Sequence, residues 1–358
     1  MLPQSVRICA IVSAATAACA LAQPLHAQPM PSTAPCPEYT SPAIEAHIKK
    51  AYELADHDFS PNLIPSLFLI PRMVGLCAPK MVADFQSDNS VARPTKAFDQ
   101  LYYTGNGFVG SWALKTSAGI ILFDAMNNSD DAQNIVESGL RQLGLNPADI
   151  KYIVVTHGHA DHWGGVKYFQ DKFHPHVLMG AEDWKLAEAP PRSATFMGHP
   201  YPTPPTKDQD ITDGQKLTLG ETTVVLYLSP GHTPASMSAI FPVTDNGQPH
   251  VLALFGGTGI PTHLAPDTSS PQKDSGVLVY LESVRRLIKL GQAAGVDGAI
   301  STHPIFDGTI AKTSEIRSRK PGDANPWVLG KSKWVRYMEV DLEVAETVKA
   351  MESEHPVK

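Results

Sequence analysis

Short apolar runs separated by turn residues dominate the middle of this 358-residue chain. Runs rich in β-branched and aromatic residues, punctuated by Gly and Asn, predict strands over 101–104, 108–116 and 119–125. The unbroken apolar run 150–155 reads as a strand buried on both faces. Further strands are predicted over 177–179, 216–219, 222–228, 238–243, 251–255 and 298–301. Helical spacing intervenes. Ile135, Val136, Leu140 and Leu143 predict a helix over 131–143, and 164–173 and 182–189 also read as helical. Val279, Val284, Leu287, Ile288 and Leu290 line one face of a helix over 275–292, and a last helix covers 337–351. This order predicts an α/β fold of two mixed sheets packed together with helices outside, a four-layer αββα sandwich. Residues 189–209 carry six prolines and are expected to form an irregular loop, of a length uncommon unless the segment is functional or disordered.

The first part of the chain has another character. Arg7 is the only charged residue before Glu38, residues 8–21 are apolar and small, and Ala20-Leu21-Ala22 has the small-x-small form of a cleavage site. Residues 1–22 are therefore expected to be a secretory signal peptide, placing the protein in the periplasm or outside the cell. Cys19 offers a lipid-anchored alternative. Residues 23–95 read as an N-terminal extension ahead of a main domain over 96–358. The extension holds a predicted helix over 42–55, with Ser41 as N-cap and Pro42 in its first turn. It continues with Pro61, Pro65, Pro71 and Pro79 set among apolar residues. Once the signal is removed, Cys36 and Cys77 form an even pair in an oxidising compartment. A disulfide between them would stabilise by roughly 4 kcal/mol in the chain-entropy account.

Charge narrows the function. Lys plus Arg number 29 against 36 Asp plus Glu, a formal net charge of −7, which gives no electrostatic hold on nucleic acid or an anionic membrane. Beyond the leader no segment reads as membrane-spanning, and the expected partner is a small-molecule substrate. The chemistry concentrates in Thr156-His157-Gly158-His159-Ala160-Asp161-His162, directly after the strand over 150–155. In extended chain, residues two apart point to one side, so His157 and His159 can grip one metal ion. Asp161 and His162, further along the turn, can reach a second. Imidazoles with one carboxylate suit Zn²⁺, with Fe and Mn as competitors. A fixed pattern of three His and one Asp arises by chance in a chain of this composition at a rate on the order of 10⁻³. Two further histidines also follow strands: His232 in Ser229-Pro230-Gly231-His232-Thr233, and His303 in Ser301-Thr302-His303-Pro304.

These motifs, over roughly residues 98–310, resemble the metallo-β-lactamase superfamily, and within it the cysteine-free dizinc metallo-β-lactamases. The resemblance implies His157, His159 and His232 on one zinc and Asp161, His162 and His303 on the other. It implies a metal-bound hydroxide oriented by Asp161 as the catalytic residue, and a structural role for Asp124 beneath the site. Many relatives in the superfamily carry a metal-bridging Asp after a strand. The matching stretch here, Phe255-Gly256-Gly257-Thr258-Gly259, has no carboxylate, which points to the lactamase-like branch. Thr258 and Ile260 fall where hydroxyls hold the antibiotic carboxylate in those enzymes. With His199 and His263 on the long loops, they are the candidate substrate contacts. The expected activity is that of an exported dizinc hydrolase opening a cyclic amide, a β-lactam first of all. The alternative is a dizinc hydrolase of another ester, lactone or amide.

Overall fold

The computed structural model describes residues 41–60, 63–67, 90–189, 193–196, 198–261 and 276–354. The chain divides into units 1–33 and 34–358, and every described residue lies in the second. The leader, Cys36, Cys77 and His263 lie outside the described residues.

One helix, α1 (Pro42–Ala55), and a single turn, α2 (Leu63–Leu67), precede the sheets. The first sheet joins β1 (Thr95–Lys96), β2 (Leu101–Gly105), β3 (Gly110–Thr116), β4 (Gly119–Phe123), β5 (Ile150–Val154), β6 (His176–Gly180) and, from beyond the proline-rich loop, β9 (Gln209–Ile211). It runs antiparallel from β1 to β4 and parallel from β4 to β9. The loop holds a two-stranded ribbon, β7 (Thr195–Phe196) with β8 (His199–Pro200). The second sheet joins β10 (Gln215–Leu219), β11 (Thr222–Leu228), β12 (Met237–Asp245), β13 (Gln248–Phe255) and β14 (Gly298–Ile300) in that order, with only the β13–β14 pair parallel.

Strand periodicity builds the layers. Successive side chains of a strand leave opposite faces. Tyr103, Trp112, Leu114, Ile121, Phe123 and Val154 point to a core shared with Val224, Leu226, Met237, Phe241, Leu252 and Leu254 of the second sheet. Their neighbours Tyr102, Ala113, Ile120, Leu122 and Ile153 point the other way, under the helical segment α3 (129–142), α4 (Ala160–Trp163), α5 (Val166–Phe173) and α6 (Ala181–Glu188). On the far side, Ile240, Ala253 and Phe255 pack under α7 (Val277–Ala294) and the long C-terminal helix, α10 (Lys331–Glu354). The result is the αββα sandwich. Between β14 and α10 lie α8 (Pro304–Asp307) and α9 (Thr309–Ser318), neither of them read from the sequence.

Helix α1 begins and ends as expected: the Ser41 side chain accepts from Ile44 N, and Asp56 closes the helix in the left-handed conformation. Its buried residues Ile44 and Ala51 pack against α10, and His47 and Lys50 both reach the buried Glu343. This part of the N-terminal region therefore backs the second sheet. The expected helix over 131–143 spans 129–142 with a wider π turn over Ala132–Glu137. No described helix is long and apolar enough to cross a membrane.

Candidate metal centre

Four strand ends converge on one place. Strand β5 stops at Val154, and the chain continues through Thr156 to His157 and His159 before α4 carries Asp161 and His162. The bend is set by Asp124, just beyond β4, which is fully buried. Its carboxylate accepts from Thr156 N at 2.7 Å, Thr156 Oγ1 at 2.8 Å and His162 Nδ1 at 2.6 Å. Gly158 lies so close to Asp183 that a Cβ there would meet the Asp183 carbonyl at 3.0 Å. His232 follows β11 behind Gly231, whose φ of +141° and tight approach to Tyr280 admit no side chain. His303 follows β14 and opens α8.

The six side chains form two groups of three, His157 with His159 and His232, and Asp161 with His162 and His303. Within each group the ligand atoms lie within 4.8 Å of one another. His157 Nε2 and His232 Nε2 are 3.2 Å apart, and His162 Nε2 and His303 Nε2 are 3.1 Å apart. Asp161 Oδ2 lies 3.4 Å from each of the latter pair. The rings of His157 and His162, 3.9 Å apart between centroids, join the two groups.

The other ring nitrogens fix what those Nε2 atoms can be. His232 Nδ1 donates to Gly259 O at 2.6 Å, and His303 Nδ1 donates to Phe108 O at 2.8 Å. His162 Nδ1 donates to Asp124. Thr156 gives its hydroxyl hydrogen to Asp124 and accepts from His157 Nδ1 at 3.1 Å. A carbonyl or carboxylate only accepts, so each of these Nδ1 atoms carries hydrogen, and the Nε2 atoms of the neutral rings His157, His232 and His303 offer lone pairs. The facing lone pairs of His157 and His232 at 3.2 Å repel unless a cation lies between them, so this donor set fits a metal ion.

Electrostatics agrees. Burial, with the surrounding rings, drives the pKa of His157 and of His232 well below the ordinary value. Burial and His162 lower His303 to about 4. Burial also opposes charge on His162, but Asp161 and Asp124 outweigh it and hold its pKa at about 10 in the metal-free protein. Burial would raise Asp161, yet His162 and its neighbours hold its carboxyl well below the usual range. The site is thus a lone-pair-rich cradle in which the Asp161 and Asp124 carboxylates favour charge on His162.

The candidate substrate contacts scatter. His199 is exposed on β8. Thr258 is 7% exposed and donates its hydroxyl to Phe255 O at 3.3 Å. Ile260 is completely buried in the apolar cluster around Tyr280, so its side chain makes core contacts and the expectation of a substrate contact is corrected there. Within the carboxylate-free stretch 255–259, a Cβ at Gly256 would lie 2.0 Å from Met237 O.

Sequence reasoning missed three supporting residues. Asp183 accepts from Gly158 N at 2.9 Å, Thr233 Oγ1 at 2.5 Å and Ala235 N at 3.0 Å, tying the first histidine loop to the His232 loop. Asn106 Oδ1 accepts from Phe108 N and Val109 N, shaping the turn whose Phe108 carbonyl holds His303. Tyr280 donates to Thr258 O beside the Gly259 carbonyl that holds His232.

Residues 104–245 match the Metallo-beta-lactamase superfamily model, and the fold and this His/Asp site are those of a metal-dependent hydrolase similar to that superfamily. Among solved structures the chain is similar to BJP-1, a subclass B3 metallo-beta-lactamase of Bradyrhizobium japonicum, at 24% identity and a TM-score of 0.56. That match covers 75% of this chain and 93% of the other. The native FEZ-1 metallo-beta-lactamase from Legionella gormanii superposes with a TM-score of 0.61 at 20% identity, over 75% of this chain and 99% of that one. At these identities the likeness is one of fold. By sequence the chain is 27% identical over 130 residues to the N-acyl homoserine lactonase AttM of Agrobacterium fabrum, covering 35% of this chain and 48% of that protein. It is 26% identical over 119 residues to Glyoxylase B2 of Dictyostelium discoideum, covering 33% and 41%. The chain therefore spans half or less of the curated relatives it matches.

Proposed function

We propose that this protein is an exported dizinc hydrolase that opens a cyclic amide, with β-lactams as the first substrate class. His157, His159 and His232 hold one ion, and Asp161, His162 and His303 hold the other. The observation that carries this reading is the Nε2 contact at 3.2 Å between His157 and His232, neutral rings whose Nδ1 atoms are already committed to acceptors, beside a second group of Asp161, His162 and His303. Bound zinc supplies Lewis acidity, lowering the pKa of a coordinated water to about 7 and polarising a carbonyl. The chain does the rest. Asp161 stays ionised and orients the attacking water through its carboxylate, Asp124 holds the His162 ring in place, and burial of the ligands keeps bulk water away. No serine or cysteine nucleophile is required.

The wider reading includes a signal peptide over 1–22, an extension over 23–95 tied by a Cys36–Cys77 disulfide, a hydrolase domain over 96–358, and antibiotic resistance as the outcome of turnover. The lactam reading is supported by the carboxylate-free stretch 255–259. The second reading, hydrolysis of a lactone or other ester, is favoured by the sequence likeness to a lactonase. Turnover of a chromogenic cephalosporin by the zinc-loaded protein, with and without chelator and beside His159→Ala, separates the two. Chelator-sensitive turnover at a kcat/KM of roughly 10⁴ M⁻¹s⁻¹ or more, lost in His159→Ala, is the expected result. No turnover by a protein that hydrolyses an acyl lactone would transfer the assignment to the second reading.

A further inference from the structure

Helix α7 grips both loops that present His232. Ser283 Oγ donates to Pro230 O at 2.7 Å, Arg286 Nη1 donates to Leu228 O at 3.0 Å, and the Tyr280 backbone packs directly on Gly231. The phenol of Tyr280 reaches across to the second loop. It lies 3.1 Å from Thr258 O, next to the Gly259 carbonyl that holds His232 Nδ1. Behind it, both carboxyl oxygens of Asp341 on α10 lie 3.0 Å from the same phenol oxygen. Tyr280 and Asp341 are buried, and among the described residues Tyr280 is the sole hydrogen-bond partner of Asp341.

The hydrogens decide how this triad works. The phenol has one hydrogen, and a carbonyl can only accept. With Asp341 ionised, that hydrogen goes to the carboxylate. Thr258 O then faces the phenol oxygen with no hydrogen between them, and a buried charge is left with one donor. With Asp341 protonated, its O–H donates to Tyr280, whose O–H donates to Thr258 O, and every polar atom is satisfied. We infer that Tyr280 and a neutral Asp341 form a positioning relay that fixes the Thr258–Gly259 backbone, and through it His232, as a metal ligand. Burial pushes the Asp341 carboxyl up to about 8, in line with a protonated acid at neutral pH. The inference rests on the metal reading above.

The test measures zinc affinity by chelator competition in a full-length His303→Ala background, which leaves only the His157, His159 and His232 group intact. Tyr280→Phe and Asp341→Leu should each weaken zinc binding by ~10-fold or more, the usual cost of losing a group behind a metal ligand. Asp341→Asn, which keeps a neutral donor, should stay within about three-fold of the parent on that scale. An infrared difference spectrum of wild type against Asp341→Asn at neutral pH should show the stretch of a protonated carboxyl. If Asp341→Leu does not fold, the other two variants still decide. Parent-like affinity in Tyr280→Phe, or an ionised Asp341 in the spectrum, would overturn the relay alone. A parent that binds no zinc would overturn the metal reading and the relay with it.

Discussion

Asp183 carries more of the site than its place in the sequence suggests. Three donors from two loops end on its buried carboxylate. Asp183→Ala would leave Gly158 N, Thr233 Oγ1 and Ala235 N without it, at a cost of about 2–3 kcal/mol in metal-free stability. Urea unfolding of the chelator-treated protein reads that loss directly, and an unchanged midpoint would deny Asp183 the clamp. Asp341 makes a pH prediction. Its folded pKa of about 8 stands above the unfolded value of 3.8, so between these values the unfolded chain has lost a proton that the native chain keeps. Stability from this group is therefore full below pH 3.8 and falls as pH rises toward 8. Asp341→Asn should remove that decline, so that the variant gains on wild type with rising pH in a Tm series. A constant difference between the two would contradict it. Residues of this kind were the least legible in the sequence. The ligands announce themselves by spacing after a strand. Asp183, Tyr280 and Asp341 act through partners 22 to 61 residues away that only the fold brings near, whereas Asn106 shapes a local turn with Phe108 and Val109.

At the scale of elements, legibility followed periodicity. Strand β11 spans the predicted 222–228, and β5 and β13 were found by their apolar character because each faces a core on both sides. Helices α8 and α9 were missed because Pro304 and a segment without an apolar stripe, Thr309–Ser318, give no 3.6-residue signal. The loop over 189–209 was expected to be irregular, but it holds the β7–β8 ribbon and delivers β9 to the sheet edge. Helix α1 rests on α10 through Glu343, which burial would raise but Lys50 and His47 hold below the usual carboxylate range. Such a group contributes stability above its unfolded pKa of 4.5 and loses it as pH falls through the folded value. Glu343→Ala should loosen α1 by about 1 kcal/mol, seen as roughly five-fold faster hydrogen exchange of its buried-face amides. Exchange at the wild-type rate would mean that Ile44 and Ala51 alone seat the helix.

Across the whole molecule, the sandwich brings together histidines that the chain keeps about 70 residues apart. His157 and His162 come from the first sheet, and His232 and His303 come from the second. The site is therefore an interface between sheets, and it exists only when both are packed. This explains why the Nδ1 atoms of His157, His162, His232 and His303 are committed to partners: the rings must be aimed before a metal arrives. It also makes metal binding a contribution to folding stability, because the unfolded chain offers no such cluster. The most direct test is zinc stoichiometry by equilibrium dialysis on wild type, His159→Ala and His303→Ala. Two ions bound per chain in wild type and one in each variant is the predicted result, with chelation lowering the wild-type Tm. A single ion in wild type that survives either substitution would contradict the two-metal account.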